Sequence, residues 1–392
     1  MKATAAFWET DMLRPLLRWP YHQLLAHPTW IRRWLDVRLL SEVLDRYPHW
    51  PYGGEEVIHL DGRGVDPEIP ALLPGVLGAH RLGQPFVASL SQVELVGPYA
   101  VVRQAGGYIV PELNPLVLDR VVKAHVAVRP RRGRTTSRYP LLASLVQPPW
   151  CGRRCGYFHW ITDCLTRLEG VEQYQKITGE QPLILLPPSP APWMQESLTY
   201  MGIGRDRQVA WSGDMGQVET LVFPSPRTLP VQRKKFNPYS VAGYWYVKER
   251  IQQAIAHLPS DFTPAPRIYI SRGDAQVRRV LNEDVLLRRL EAFHVVPYQL
   301  SRLSFADQVR LFAQAELVIA PHGAGLVNMI FGQRPAILEI YTSTFVPGYF
   351  IIAQSLGFPY AGVRGEDCGG HLVVDPEAVA RRVEGLLSIR KP

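Results

Sequence analysis

A chain of 392 residues that is 46% hydrophobic and 20% charged has the composition of a folded globular protein, so wholesale disorder is excluded. Its length exceeds one ordinary core and implies two domains. The net charge of +8 favours anionic partners such as nucleotides or phospholipid headgroups, but the basic residues are dispersed, which argues against nucleic acid. Four cysteines, Cys151, Cys155, Cys164 and Cys368, are too few for a disulfide framework in a chain this long. The first three lack a fourth ligand at a zinc spacing, so they read as reduced thiols of a cytosolic protein. Residues 1–11 carry acidic side chains and no apolar core, unlike a secretory signal, and no run of 18 apolar residues suggests a membrane-spanning helix.

In chain order, residues 1–90 read as a helical or irregular extension. Residues 29–47 have helical spacing, with Trp30, Trp34, Val37, Leu40 and Leu44 near one face. This basic aromatic stripe suits packing on the protein body or contact with a membrane surface. Residues 91–235 form a first α/β domain. Short strands are predicted over 92–111, with Gly106-Gly107 turning 101–104 back onto 108–110. Residues 117–128 alternate like a further strand. Residues 129–138 hold five arginines among Pro, Gly, Thr and Ser, a basic loop. Helices follow at 158–168 and 194–201, with strands at 183–186 and 219–223. A linker is expected over 224–238, which contains four prolines with Arg233, Lys234 and Lys235.

Residues 236–392 are more regular. The spacing predicts helices at 241–257, 283–293 capped by Asn282, and a Ser304-capped helix ending at Ala315. Strands are predicted at 267–271, 295–299, 317–320 and 336–340, and a final helix starts at Asp375-Pro376 and runs to 387. Strands alternating with helices predict a parallel sheet, with ligands outside the carboxyl ends of its strands.

The densest chemistry lies at 317–331, Leu-Val-Ile-Ala-Pro-His-Gly-Ala-Gly-Leu-Val-Asn-Met-Ile-Phe. A buried strand ends at Pro321 and turns through Gly323, Ala324 and Gly325 into an apolar helical run. Amides at such a helix start favour an anion, the glycines permit close backbone approach, and His322 adds a polar group. Neither a Walker loop nor Gly-x-Gly-x-x-Gly fits, since no Gly-Lys-Ser/Thr follows and Asn328 occupies the third glycine position. Arg272 follows the strand 267–271, and Glu339 sits near the end of 336–340. Parallel neighbours would line these groups along one edge, with cations and amides for phosphates and a carboxylate for ribose hydroxyls. Earlier in the chain, His159 and Asp163 are i and i+4 on a helix, hence on one face. A carboxylate beside an imidazole raises its basicity, which prepares a general base; a helix-stabilising pair is the alternative.

These residues, His159-Trp160-x-x-Asp163-x-x-x-Arg167-Leu168, Tyr269-Ile-Ser-Arg272 with Arg278-Arg279-x-x-Asn282-Glu283, and Pro321-His-Gly-Ala-Gly-Leu-x-Asn328 with Glu339 beyond, resemble glycosyltransferase family 61, whose members include bacterial capsule and exopolysaccharide enzymes. The resemblance runs from about 92 to 387. It implies an α/β fold of GT-B type, two Rossmann-like domains facing across a cleft, with the last helix crossing back onto the first domain. It implies an inverting transfer that needs no bound metal or other cofactor, from a nucleotide-sugar donor (UDP-linked) to a glycan or lipid-linked acceptor in polysaccharide biosynthesis. Asp163 is then expected as base with His159 holding the acceptor or pairing to it, the reverse assignment remaining open, while Arg272, His322, the Gly323–Gly325 turn and Glu339 bind the donor and Arg278 and Asn328 line or brace its site. The expected location is cytoplasmic, with peripheral contact at the inner face of the membrane. Two alternatives are a non-catalytic scaffold of a polysaccharide assembly complex and a Rossmann dehydrogenase using Gly323, Gly325 and Glu339.

Overall fold

The computed structural model describes residues 28–62, 69, 75–111, 115–127, 136–146, 156–227, 238–342 and 345–389. Residues 1–27, most of the basic loop 129–138, Cys151, Cys155 and the stretch 228–237 of the expected linker lie outside the described residues. Eleven of the described strands come before residue 225: β1 (Val37–Leu39), β2 (His49–Pro51), β3 (Glu56–Leu60), β4 (Gly78–Leu82), β5 (Phe86–Val96), β6 (Val101–Gln104), β7 (Gly107–Val110), β8 (Thr136–Ser144), β9 (Leu183–Leu186), β10 (Gln208–Ala210) and β11 (Met215–Pro224). Nine of them form one sheet in the order β1-β7-β6-β5-β11-β8-β9-β10, with β2 also on β5, while β3 and β4 make a separate hairpin.

This first sheet is mixed. The strands β8, β9, β10 and β11 pair in parallel, but β5 runs antiparallel to β6 and β11, so it is not the all-parallel sheet expected of a Rossmann-like half. Hairpin-linked strands zip antiparallel because a two-residue turn cannot bridge parallel neighbours. The turn itself is Ala105-Gly106, both left-handed at φ +50° and +81°, which matches the twist of a tight hairpin. Gly107 already lies in β7, where a Cβ would collide with the Asp36 carboxylate.

Three sequence expectations change here. The helix expected over 29–47 is broken: Pro28–Trp34 is helical, Asp36 takes φ +45°, and Val37 starts β1 on the edge of β7. The stretch 117–128, expected to be extended, is helical over its described residues, in Pro115–Ala127. Its buried Val117, Leu118, Val121 and Val122 recur at i, i+1, i+4 and i+5, a helix face rather than a strand face. The expected boundary at residue 90 falls inside β5, and β1 and β2 from the first 90 residues are members of the sheet.

The second sheet contains β12 (Arg267–Ile270), β13 (Val296–Tyr298), β14 (Leu317–Pro321), β15 (Ala336–Tyr341) and β16 (Tyr360–Arg364), all parallel, in the order β13-β12-β14-β15-β16. Counted as the chain enters them, this is 2-1-3-4-5, a doubly wound order whose direction reverses between β12 and β14. Strands buried on both faces read as continuous apolar runs, and every residue of β14 and β15 is buried. The small hairpin β17 (Glu366–Cys368) and β18 (His371–Val373) follows. The last helix, Pro376–Ile389, buries Val379, Val383 and Leu386 in the cluster that holds Leu286, Leu290 and Leu338. It therefore packs on the second sheet rather than crossing back to the first.

One apolar cluster joins the two halves. It contains Val87, Ala143 and Ile184 from the first sheet, Ile268, Val318 and Ile337 from the second, and Trp160, Val247, Phe305 and Phe350 between them. Removing such side chains from water is the main favourable term in folding, so the halves are bound by shared core. No helix among the described residues is long and apolar enough to cross a membrane.

Candidate functional site

The reversal point of the second sheet is where adjacent crossovers leave in opposite directions and open a crevice at the carboxyl ends of the strands. The two strands flanking it are β12 and β14. Arg272 comes just after β12 and His322 just after β14. Their meeting point is set by strand order, not by sequence proximity.

Register then supplies the next group. Ala320 of β14 pairs with Glu339 of β15, and the His322 amide donates to Ile340 O at 2.8 Å. This brings His322 Nδ1 against Glu339 Oε1. The other carboxylate oxygen accepts the Tyr360 hydroxyl from β16. Glu339 is 0% exposed, so the expectation that it accepts hydrogen bonds from a ribose is corrected: both oxygens are committed inside the protein. A buried carboxylate must be hydrogen-bonded to be tolerated, and here it fixes the His322 ring. The same burial removes the acidic residue that a dinucleotide site would need.

Past His322 the chain makes a 3-10 helix, Ala324–Phe331, rather than the α-helix expected, with Leu326 N bonding Gly323 O at 3.0 Å. The glycines serve close approach: Gly323 has extended backbone at φ −177°. A Cβ there would strike the Arg272 guanidinium, and one at Gly325 would strike Leu300. Arg272 thus lies directly against the turn. Its Nη2 donates to Val277 O at 3.2 Å, while its buried Nε has no partner among the described residues. Burial, then the neighbouring Arg278 charge, lowers the Arg272 pKa from the usual arginine value. Neither Arg272 nor Arg278 forms an ion pair among the described residues. Two arginines that act on one another and form no ion pair, one bearing an unsatisfied buried N–H, suit an anion with several oxygens.

The other side comes from the first half of the chain. Helix Tyr157–His159 widens into a π turn over Trp160–Cys164 and continues as Leu165–Arg167 and Leu168–Thr178, so the expected single α-helix is irregular at its functional residues. Such π turns are rare and concentrate at functional sites. His159 Nδ1 and Asp163 Oδ2 lie 2.7 Å apart, with the His159 side chain 30% exposed and Asp163 14% exposed. Thr162 Oγ1 also donates to Asp163 Oδ2 at 3.2 Å. Trp160 belongs to the core, its Nε1 donating to Ser197 Oγ at 2.9 Å. Arg167 is also structural: Nε and Nη2 both donate to Pro224 O, at 3.0 and 2.8 Å.

Aromatic side chains bridge the two sides. The Phe158 ring is edge-on to His159 at 5.2 Å and to Tyr349 at 5.5 Å, and Tyr349 is edge-on to His322 at 5.1 Å. The Tyr349 hydroxyl donates to Gly323 O at 2.7 Å. Burial pushes the Tyr239 and Tyr244 phenols up, with the Asp163 charge adding to both; the buried Tyr244 hydroxyl has no partner among the described residues. Sequence reasoning missed Tyr349, Tyr239, Tyr244 and Tyr360, because a lone tyrosine outside a motif carries no signal. Asn328, expected at the donor, is 0% exposed and braces the turn, bonded to Tyr157 and Gln308. Asn282 does not cap its helix through its side chain; its carboxamide bonds Val374 instead.

Among curated proteins the chain is similar to EGF domain-specific O-linked N-acetylglucosamine transferase of Mus musculus, 30% identical over 100 residues covering 24% of this chain and 19% of that one. The Drosophila melanogaster protein of the same name is 35% identical over 96 residues, 24% of this chain and 18% of its own. The chain spans about a fifth of the length of these relatives. Residues 157–338 match the family model described as Glycosyltransferase 61. That segment contains His159, Asp163, Arg272, Arg278, His322 and the Gly turn, so both sides of the site lie in the part of the chain that is similar to glycosyltransferase family 61.

Proposed function

We propose that the protein is an inverting glycosyltransferase that moves a sugar from a nucleotide-sugar donor, UDP-linked, to a glycan or lipid-linked acceptor in the synthesis of a bacterial polysaccharide. The observation that carries this reading is the Arg272 guanidinium against the Gly323 turn, with the Arg278 charge acting on it and neither arginine ion-paired among the described residues, linked through Tyr349 and Phe158 to the His159–Asp163 pair. In this reading residues 236–392 hold the donor and residues 91–235 the acceptor, as the two sides of a GT-B-type cleft.

Transfer with inversion needs a base at the acceptor hydroxyl and positive charge at the departing diphosphate. Arg272, Arg278, His322 and the turn amides serve the diphosphate, an arrangement in which no metal has to carry that charge. The acceptor proton passes to the His159–Asp163 pair. His159 is the more exposed member, and Asp163 is held by both His159 and Thr162. The geometry therefore favours His159 as the proton acceptor with Asp163 fixing its tautomer, the reverse of the assignment preferred from sequence. A peripheral contact with a membrane would bring the site to lipid-linked acceptors.

The test is a thermal-shift panel of UDP, GDP, ADP and their sugars, since a ligand that binds only the folded state raises the melting temperature by mass action. UDP and one UDP-sugar should raise it, and Arg272→Ala should abolish the rise. If no nucleoside diphosphate shifts the wild-type midpoint, the donor-site reading is wrong.

A further inference from the structure

Arg278 sits in the left-handed backbone region at φ +58°. An L-residue with a full side chain is strained there, and such strain persists only where the surroundings over-determine it, often beside a ligand. What surrounds Arg278 is the hairpin β17–β18, which lies beyond the matched segment 157–338. The hairpin turns through Gly369 and Gly370, both left-handed at φ +65° and +82°. Gly370 O accepts the Arg278 amide at 2.7 Å, and Gly370 N donates to Asp367 Oδ1 at 3.1 Å.

The contact is extended on both sides. Leu372 N donates to Arg279 O at 2.8 Å, and Leu281 N donates to Leu372 O at 2.7 Å. Asn282 then exchanges two hydrogen bonds with Val374, at 2.8 and 3.2 Å. The chain from 278 to 282 is thus docked residue by residue on 370–374. The Arg272 guanidinium reaches this docked segment, its Nη2 donating to Val277 O at 3.2 Å beside Arg278, and the Arg278 charge acts on both the Arg272 guanidinium and the Tyr349 phenol. Two like charges placed together repel, so the left-handed turn at Arg278 has to be held from outside the pair.

We propose that the 366–373 hairpin is a donor-site positioning element, with Gly370 locking the backbone of Arg278 so that its guanidinium stands beside Arg272 and closes a two-arginine clamp on a diphosphate. This rests on the reading of Arg272 and Arg278 as the diphosphate site. Gly370 touches no ligand; it acts through Arg278.

The experiment is titration calorimetry of UDP and of inorganic pyrophosphate against wild type, Gly370→Ala, Arg278→Ala and the double variant. A Cβ at Gly370 meets nothing within 4 Å, so the alanine acts only through the left-handed backbone. Each single variant should weaken UDP about tenfold, the size of a lost charge-assisted contact, and the double variant should match Arg278→Ala alone. Asp367→Ala, an exposed change that loosens the same turn, should show a smaller loss that also vanishes in the Arg278→Ala background; it keeps the test open if Gly370→Ala does not fold. Wild-type affinity in Gly370→Ala, or losses that multiply with Arg278→Ala as a merely structural role predicts, would overturn the proposal. A wild-type protein that binds neither UDP nor pyrophosphate overturns instead the diphosphate reading on which it rests.

Discussion

The Tyr157 hydroxyl donates to Asn328 Oδ1 at 2.6 Å across a sequence separation of 171 residues, tying the start of the His159 helix to the turn helix that follows His322. Both ends of this bond lie inside the matched family segment. Burial pushes the Tyr157 phenol above the usual tyrosine value, keeping it a donor at any physiological pH. Tyr157→Phe keeps the ring contacts with Trp193 and Phe305 and removes only the hydroxyl. It should cost about 1–3 kcal/mol, because Asn328 Oδ1 is left unsatisfied in the interior. Urea unfolding with an unchanged slope measures it; a loss below about 0.5 kcal/mol would show that the bond does not couple the two halves.

The His159–Asp163 pair acts as a unit if it is the base. His159→Ala and Asp163→Asn should each lower turnover by about 10²–10⁴-fold, and the double variant should be little worse than either single one. Steady-state transfer assays with a verified donor and acceptor check this. Losses that multiply in the double variant would assign the two residues to separate tasks.

Glu339 holds His322 from within the sheet. Glu339→Gln preserves size but introduces an N–H where two hydrogen-bond donors now converge, so one of His322 and Tyr360 loses its acceptor. Turnover should fall roughly 10–100-fold, the size found when a carboxylate that orients a metal-ligating histidine is removed. Tyr360→Phe, which leaves the Glu339–His322 contact in place, should retain most activity. Equal losses in the two variants, measured at matched folded fraction, would show that the effect is on packing alone.

Asp274 follows Arg272 in the site loop, and the Ser301 hydrogen bond holds its carboxyl below the usual aspartate range; partial burial works against this, and Gln299 and the Arg272 charge support it. A carboxylate with a depressed folded pKa contributes stability that is present above the unfolded value of about 3.9 and is lost as pH falls through the folded value. The loop that carries Arg272 should therefore loosen on acidification. Unfolding free energies of wild type and Asp274→Asn should differ above pH 4 and converge below it. A difference that stays constant down to pH 2 would mean the charge of Asp274 is not what matters.

Much of the site could be read from the chain because strand ends are local events. Pro321-His322-Gly323 had to leave a buried strand, and Arg272 had to follow one, whatever lay beside them. The i, i+4 spacing of His159 and Asp163 likewise placed them together before any fold was known. Helix and strand identity failed where the reading was ambiguous: 117–128 read as a β-like stretch, but the apolar pairs Val117-Leu118 and Val121-Val122 carry helical spacing, and the core that receives them decided it.

What the sequence determined alone was therefore chemistry in local frames: a glycine turn after a parallel strand, an arginine at another strand end, and an imidazole beside a carboxylate. Tertiary structure decided who meets whom. Strand order put β12 beside β14 and so Arg272 against Gly323; register put Glu339 behind His322 rather than in front of a ligand. Those pairings depend on which buried faces and backbone edges satisfy one another at long range, and no local spacing encodes that choice.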